Sequence, residues 1–529
     1  MLVKTYCAAV NGLEVTTVTV EVSMTRGVQF RLTGLADTSV RESHDRIRAA
    51  MMNNGYKMSP MDITVNLAPA DLRKEGSSFD LPIAVCILAG YGKVSADLLD
   101  RYMLVGELSL DGRLQPVRGA LPIAIRARAE KFTGLIVPKA NEREAAVVNN
   151  LDVYGMETLE DVIRFLNGAS DARPLVFDTR KEFYEHQTES DLDFSEVRGQ
   201  ESVKRAVEVA AAGGHNLIMV GPPGSGKSMI AKRIPSILPP LTLAESLETT
   251  QIHSVAGKLD RNTSLIATRP FRSPHHTISN AALVGGGTTP MPGEISLAHN
   301  GVLFLDEMPE LQRSVLEVLR QPLEDRRITI SRARYAVEYP CSFMLIASMN
   351  PCPCGYYGDP AHHCTCSPAQ IQRYVSRISG PLLDRIDIQC EIEAVPFAEL
   401  SRMKPGETSA VIRERVICAR RIQEERFRTY ASVHCNAMMT DRMLSEFVRP
   451  DSASTDMLRL AMERLKLSAR AYNRILKVSR TIADLDGSET VCSHHIAEAI
   501  GYRNLDRSDW SERGVCPQPA VKVRMKYKG

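Results

Sequence analysis

The sequence predicts a protein of the α/β class with more than one domain, and three observations carry that reading. Strand-like alternation and short helical patterns intermix over residues 1–168. A strand, a glycine-rich loop and a helix follow one another around Gly221. Helical periodicity takes over from about residue 408. A length of 529 residues exceeds what one ordinary core fills, which sets an expectation of about two to four domains.

Composition closes off several classes. Hydrophobic residues at 44% and charged residues at 24% are globular values, not those of a disordered or fibrous chain. Apolar runs stay short of the roughly 18 residues that suggest a membrane span. Met1 to Val10 holds one lysine and then alternates like a strand, without the apolar region or cleavage site of a leader. The expectation is a cytoplasmic protein without a membrane partner. A formal net charge of +2 argues against a polybasic nucleic-acid binder, while leaving room for a local basic strip.

Along the chain, Val15 to Val22, Gln29 to Leu35 and Met61 to Leu67 read as strands, and Val40 to Asn53 as a helix. Leu81 to Ala89 is apolar throughout and fits helix or strand. Leu104 to Leu110, Asp111-Gly112 and Arg113 to Val117 read as a hairpin, because Asp-Gly favours a tight turn. Leu135 to Val137 and Val153 to Tyr154 are short strands, and Leu159 to Leu166 a closing helix. Residues 169–192 lose periodicity, gain charge and read as a linker. A core follows over 193–395. Residues 396–508 are helix-rich, with helices at Ala410 to Arg428, Ser454 to Leu465, Ala469 to Leu485 and His494 to Tyr502. Residues 509–529 read as an exposed tail.

Chemistry concentrates at Gly221, Pro222, Pro223, Gly224, Ser225, Gly226, Lys227 and Ser228, which satisfy the phosphate-loop pattern. The loop follows an apolar strand, Asn216 to Val220, and Met229 continues it into a helical pattern. Glycines let backbone N–H groups converge on phosphate at a helix start. Lys227 then neutralises β/γ-phosphate charge and Ser228 ligates Mg2+. Gly301-Val-Leu-Phe-Leu-Asp306-Glu307 is a buried strand ending in two carboxylates. Asp306 suits the Mg2+ shell, and Glu307 is placed to orient or activate water. Ser342 to Ser348 is the next apolar strand and leads to Asn350.

Together these elements resemble the AAA+ superfamily of ATP-driven ring motors, which implies three further roles. Asn350 matches sensor 1. Arg385, in Gly380-Pro-Leu-Leu-Asp-Arg-Ile-Asp387, matches an arginine finger acting on a neighbouring subunit's ATP, with a local ion pair to Asp384 or Asp387 as the alternative. Arg470 matches sensor 2, with Arg474 as the other candidate. Before the carboxylate strand, Arg269 to Ser279 and Gly285 to Gly287 resemble the extra hairpin of the Mg-chelatase and MCM branch. Leu323 to Tyr335 is similar to that branch's second hairpin and puts Arg332, with Arg334 nearby, at a DNA-contacting tip. His275 and His276 read as loop packing rather than metal ligands.

Most of the twelve cysteines stand singly in apolar contexts such as Cys86, Cys341, Cys390 and Cys418, as small buried hydrophobes do. Cys352, Cys354, Cys364 and Cys366 instead share one loop, within 350–368. Thiols so placed in a cytosolic chain point to metal, and four sulfurs suit tetrahedral Zn2+; His362 or His363 can stand in for one of them. The alternative is a reduced loop stiffened by glycine and proline.

Residues 73–138, with Ser78, Val105 to Val117 and Ile136-Val-Pro138, resemble the Lon protease domain, a ribosomal S5 domain 2-like fold. That family uses a Ser–Lys dyad. Ser78 falls at the serine, but the lysine position reads Leu121, which cannot act as a base. The departure disfavours a peptidase and leaves a scaffold or collar, with Lys74 and Arg118 as possible substrate contacts. The full order is a Lon-like, ChlI-type domain, a Mg-chelatase-type AAA+ core, the cysteine loop and a helical lid, and it resembles the bacterial ComM/YifB family. Asn350 to Asp359 and Arg377 to Asp387 carry that likeness. It implies a hexameric, ATP- and Mg2+-dependent motor on single-stranded or branched DNA, promoting branch migration in natural transformation. A porphyrin-chelatase motor subunit and an ATP-dependent protease are the alternatives.

Overall fold

The computed structural model describes residues 1–187, 192–260, 263–287, 290–332, 335–359, 362–393, 405–430, 432–465 and 467–503. A seven-stranded mixed sheet organises the first part, in the order Phe30–Thr33, Met61–Ala68, Glu14–Arg26, Leu2–Asn11, Tyr102–Leu104, Gly134–Pro138, Asp152–Met156. Leu2–Asn11 and Glu14–Arg26 form a long antiparallel hairpin that pairs Leu2 with Ser23 and Asn11 with Glu14. Gly12 sits in its two-residue loop at φ 62°, where glycine carries no steric penalty. Strands from Leu2–Asn11 to Asp152–Met156 run parallel.

The ambiguous apolar run is a helix, Asp80–Gly90, buried from Asp80 to Ala89. Burial on all sides explains why it shows no amphipathic stripe. The Asp-Gly hairpin forms with Gly112 at φ 85° and Ser109 N donating to Arg113 O at 3.0 Å. Its first strand is shorter than expected: Leu104 belongs to the large sheet, and the hairpin begins at Glu107–Leu108. Gly106 causes the break, because its N–H goes to Ser78 O and its C=O accepts from Leu81 N, both at 3.0 Å. Leu159–Leu166 is a helix opened by a reciprocal Thr158–Asp161 cap. The span 169–192 holds a helix of its own, Thr179–His186, capped by Asp178 and anchored by buried Phe183. One apolar anchor in two turns gives no periodicity to read.

The second part carries a five-stranded parallel sheet in the order Phe271–Arg272, Val302–Leu305, Met344–Met349, Leu217–Val220, Ile388–Glu391. Leu217 and Met219 enter the core on one face, while Ile218 and Val220 enter the core on the other. Both faces are covered, which is why these strands read as unbroken apolar runs. Two antiparallel hairpins stand beside this sheet, Gly285–Gly286 with Met291–Pro292 and Arg327–Arg332 with Tyr335–Pro340. Tyr339 hydroxyl donates to Pro290 O at 2.8 Å and ties them together. A Cβ on Gly12 would come within 2.2 Å of Val337, so the first turn of the chain packs on the second hairpin.

Helices Ser409–Arg426, Asp441–Phe447, Ser452–Leu465, Ala469–Leu485 and Ser493–Gly501 follow. Several pack into the core on one face of the parallel sheet through Ile412, Val416, Ile475 and Ile482. Asp441–Phe447, at seven residues, went unread because two turns leave too short a pattern. The residues of the expected tail lie outside the described residues.

Candidate nucleotide site

The loop from Gly221 to Gly226 joins strand Leu217–Val220 to helix Lys227–Ile237 at the C-terminal edge of the parallel sheet. Gly224 and Gly226 take φ of 77° and 90°, a left-handed conformation that β-carbons resist. At Gly221 a Cβ would lie 2.4 Å from Ile392 O, so the adjoining strand end leaves no room for a side chain. Gln200 holds the loop from outside, its side-chain N–H donating to Ser225 O at 2.9 Å.

Lys227 is buried, and its Nζ donates to the carbonyls of Gly221 at 2.7 Å and Pro222 at 2.8 Å. Burial pushes its pKa down, and the charges of Asp306 and Glu307 hold it up in part. Strand Val302–Leu305 ends at Asp306, whose Oδ2 accepts from Ser228 Oγ at 2.8 Å. The hydroxyl and the carboxylate expected to share a magnesium ion are therefore already adjacent. Glu307 is exposed, in a left-handed conformation at φ 49° that turns the chain out of the strand. Ser348, which the sequence gave no reason to single out, donates its hydroxyl to Asp306 Oδ1 and accepts from Glu307 N at 3.2 Å. Between the two phosphate-side strands runs Met344–Met349, which delivers Asn350. Its Oδ1 lies 3.3 Å from Lys227 Nζ. Lysine, serine, both acids and asparagine thus meet at one sheet edge, where the ammonium could hold phosphate and the oxygens could ligate Mg2+.

The arginines stand apart from that cluster. Arg385 is 7% exposed and pairs with Glu324 Oε1 at 2.5 Å, not with Asp384 or Asp387. Its Nε is buried without a partner. Arg470 is 62% exposed, with Asp384 Oδ2 at 4.0 Å, so it lies on Arg385's side of the molecule. Arg474 is committed elsewhere: Nη1 donates to buried Asp387 at 2.7 Å, and His215 Nδ1 and Asn216 N also face that carboxylate. Burial pushes Asp387 up, but Arg474, His215 and Lys477 outweigh it and hold its pKa well below the carboxylate range. A depressed folded pKa gives stability that is full above about pH 4 and fades as pH falls further. Asp387→Asn should therefore cost about 3 kcal/mol at pH 7. Urea unfolding should show the gap to wild type closing below about pH 4; a gap independent of pH would remove the assignment.

Arg332 closes the second hairpin opposite Tyr335; Arg334 lies outside the described residues. His275 Nδ1 meets Thr277 Oγ1 at 2.9 Å, a loop contact as expected. After Asn350, Cys352, Cys354, Cys364 and Cys366 gather their sulfurs within 4.8 Å of one another. His362 is turned to Asp359 at 3.1 Å. The four thiols could hold a metal without it. Burial pushes Cys354 up, yet the N–H groups of Tyr356 and Thr365 prevail and set it at about 6, whereas burial lifts Cys364 to about 12.

In the first part Leu121 is fully buried, with its N–H on Glu144 Oε1 at 3.0 Å. Lys74 is buried too, its Nζ donating to the carbonyls of Pro69 and Leu72. Arg118 flanks Gly257 of the second part. The segment thus supplies Ser78 with no lysine base at the expected position.

Residues 193–400 match the family described as Magnesium chelatase, subunit ChlI. Residues 20–141 match Subunit ChlI of Mg-chelatase, and 406–503 match the ChlI C-terminal family. Fold and site therefore define a Mg-chelatase-like protein of the AAA+ class. The chain is 45% identical over 505 residues to Competence protein ComM of Haemophilus influenzae, covering 95% of this chain and 97% of that one. It is 43% identical over 499 residues to the YifB protein of Escherichia coli K12, at 94% and 96% coverage. A more distant match, 22% over 362 residues, is the Magnesium-chelatase 38 kDa subunit of Rhodobacter capsulatus, at 62% and 92% coverage. The chain belongs to the ComM/YifB family of Mg-chelatase-like ATPases.

Proposed function

We propose that this chain hydrolyses ATP with Mg2+ between the subunits of a hexameric ring and uses the cycle to drive branch migration or unwinding of DNA during recombination in natural transformation. The carrying observation is the contact of Ser228 with Asp306 at 2.8 Å beside Lys227, because it joins both halves of a metal–triphosphate site. Lys227 and the loop amides bind phosphate, Ser228 and Asp306 hold Mg2+, and Glu307 with Asn350 orients water. Arg385 exchanges Glu324 for the γ-phosphate of the next subunit, and Arg470 assists from the same side. The second hairpin carries Arg332 and Arg334 to the backbone of a DNA strand, where basic residues grip phosphates without reading sequence.

The first 168 residues form a Lon-like collar, and the helices after residue 408 a lid. Buried Leu121 at the position of the dyad's lysine speaks against peptidase chemistry in that collar. The thiol cluster takes a structural zinc ion. The ATPase rate of the purified chain should rise on adding single-stranded or branched DNA, and the response should weaken steeply with salt. An ATPase indifferent to all DNA would instead favour a chelatase-type motor acting on a protein partner, the reading to which the ChlI family match lends support.

A further inference from the structure

The four thiols lie next to the nucleotide cradle, and two links join them to it. Cys352 is fully buried two residues after Asn350, whose Oδ1 meets Lys227 Nζ at 3.3 Å. Gly355 takes φ 90°, and a Cβ there would lie 2.7 Å from Pro223 Cδ, so the cysteine loop lies flat against the phosphate loop. Within this stretch Gly355 N donates to Cys352 O at 3.0 Å and Asp359 N to Tyr356 O at 3.2 Å, each closing a short turn. A cross-link between the two ends of such a loop narrows the positions it can take.

The sulfurs are arranged to supply that cross-link. Cys352 and Cys354 are 3.3 Å apart, Cys352 and Cys364 3.7 Å, Cys354 and Cys364 3.6 Å. A disulfide needs about 2.05 Å, whereas a tetrahedron with Zn–S bonds of about 2.3 Å has edges of about 3.8 Å. Backbone N–H groups of Tyr356 and Thr365 face the Cys354 sulfur, that of Cys366 faces Cys364, and that of Cys354 faces Cys366. Donors of this kind stabilise thiolates and orient metal ligands. Four protein ligands would leave no open position, so an ion held there would serve structure and not catalysis.

We infer that zinc held by Cys352, Cys354, Cys364 and Cys366 fixes this loop as a brace behind Pro223 and Asn350, so that metal occupancy sets nucleotide affinity. The inference rests on the reading of the cradle as an ATP site and of the cluster as a zinc site. The test uses the full chain, with zinc content from plasma emission spectrometry and affinity from titration with a fluorescent ATP analogue. Wild type should hold about one zinc per chain. Cys366→Ser should lose the metal and bind nucleotide about tenfold more weakly, while Cys366→His, which still offers a ligand, should keep both. Gly355→Ala should retain zinc yet weaken nucleotide binding, separating the brace from metal loading even if Cys366→Ser fails to fold. Wild type without zinc overturns the metal centre. Zinc present, with Gly355→Ala and Cys366→Ser binding nucleotide normally, overturns the brace and leaves the centre standing. Zinc present with no nucleotide bound by wild type overturns the cradle itself, and the brace with it.

Discussion

Lys227→Ala should bind ATP at least about a hundredfold more weakly than wild type. The ammonium sits buried between the carbonyls of Gly221 and Pro222 and beside Asn350. Alanine removes that charge and offers no group in its place. A triphosphate then meets a cradle that keeps its backbone amides but lacks its fixed positive charge, and the nearby acids Asp306 and Glu307 repel it. Truncating one member of a desolvated, hydrogen-bonded charge pair costs about 3 kcal/mol. Isothermal titration with a non-hydrolysable analogue and Mg2+ reads the loss directly, and unchanged affinity would refute the role given to Lys227. Loading should also fall for Asp306→Asn, but through the metal, so excess Mg2+ should recover part of it while Lys227→Ala stays insensitive.

That the cradle was legible in the sequence follows from its chemistry being local. Eight successive residues, Gly221 to Ser228, carry the pattern, and the flanking strand and helix are continuous with it. Asp306 and Glu307 close a run of apolar residues that only a strand buried on both faces explains. Other features depend on residues far apart in the chain. Ser348 reaches Asp306 only because their strands are neighbours in the sheet. Glu324 reaches Arg385 across a helix, a hairpin and the cysteine loop. Asp387 gathers His215 and Arg474 from two other elements, and no spacing rule announces such a set. Short helices such as Thr179–His186 and the break at Gly106 were illegible for a different reason: each is decided by a single tertiary anchor, Phe183 in one case and the Ser78–Leu81 backbone in the other. The thiols fall between these cases, since sequence brings them into one loop but only the fold shows four sulfurs converging.

Arg385→Ala should bind ATP almost as wild type does and lose turnover by about a thousandfold. The guanidinium lies away from its own phosphate loop, under Glu324, which is itself 50% exposed. A pair at such an edge can be exchanged for an incoming anion, and the γ-phosphate gains charge as the transition state forms, so an arginine from the next subunit acts there and not on binding. A structural role predicts something else: alanine would strip Glu324 of its partner and lower the melting temperature with little effect on the chemical step. Glu324→Gln separates the two, because it breaks the same ion pair while keeping the guanidinium, which still donates to Pro381 O. It should retain turnover if Arg385 acts in trans. Mixing subunits makes the test sharper. Arg385→Ala chains contribute intact cradles and Lys227→Ala chains contribute intact arginines, so a mixed ring should regain activity that neither variant shows alone. Mixtures as inactive as their components would place Arg385 in its own subunit's structure and remove the trans mechanism.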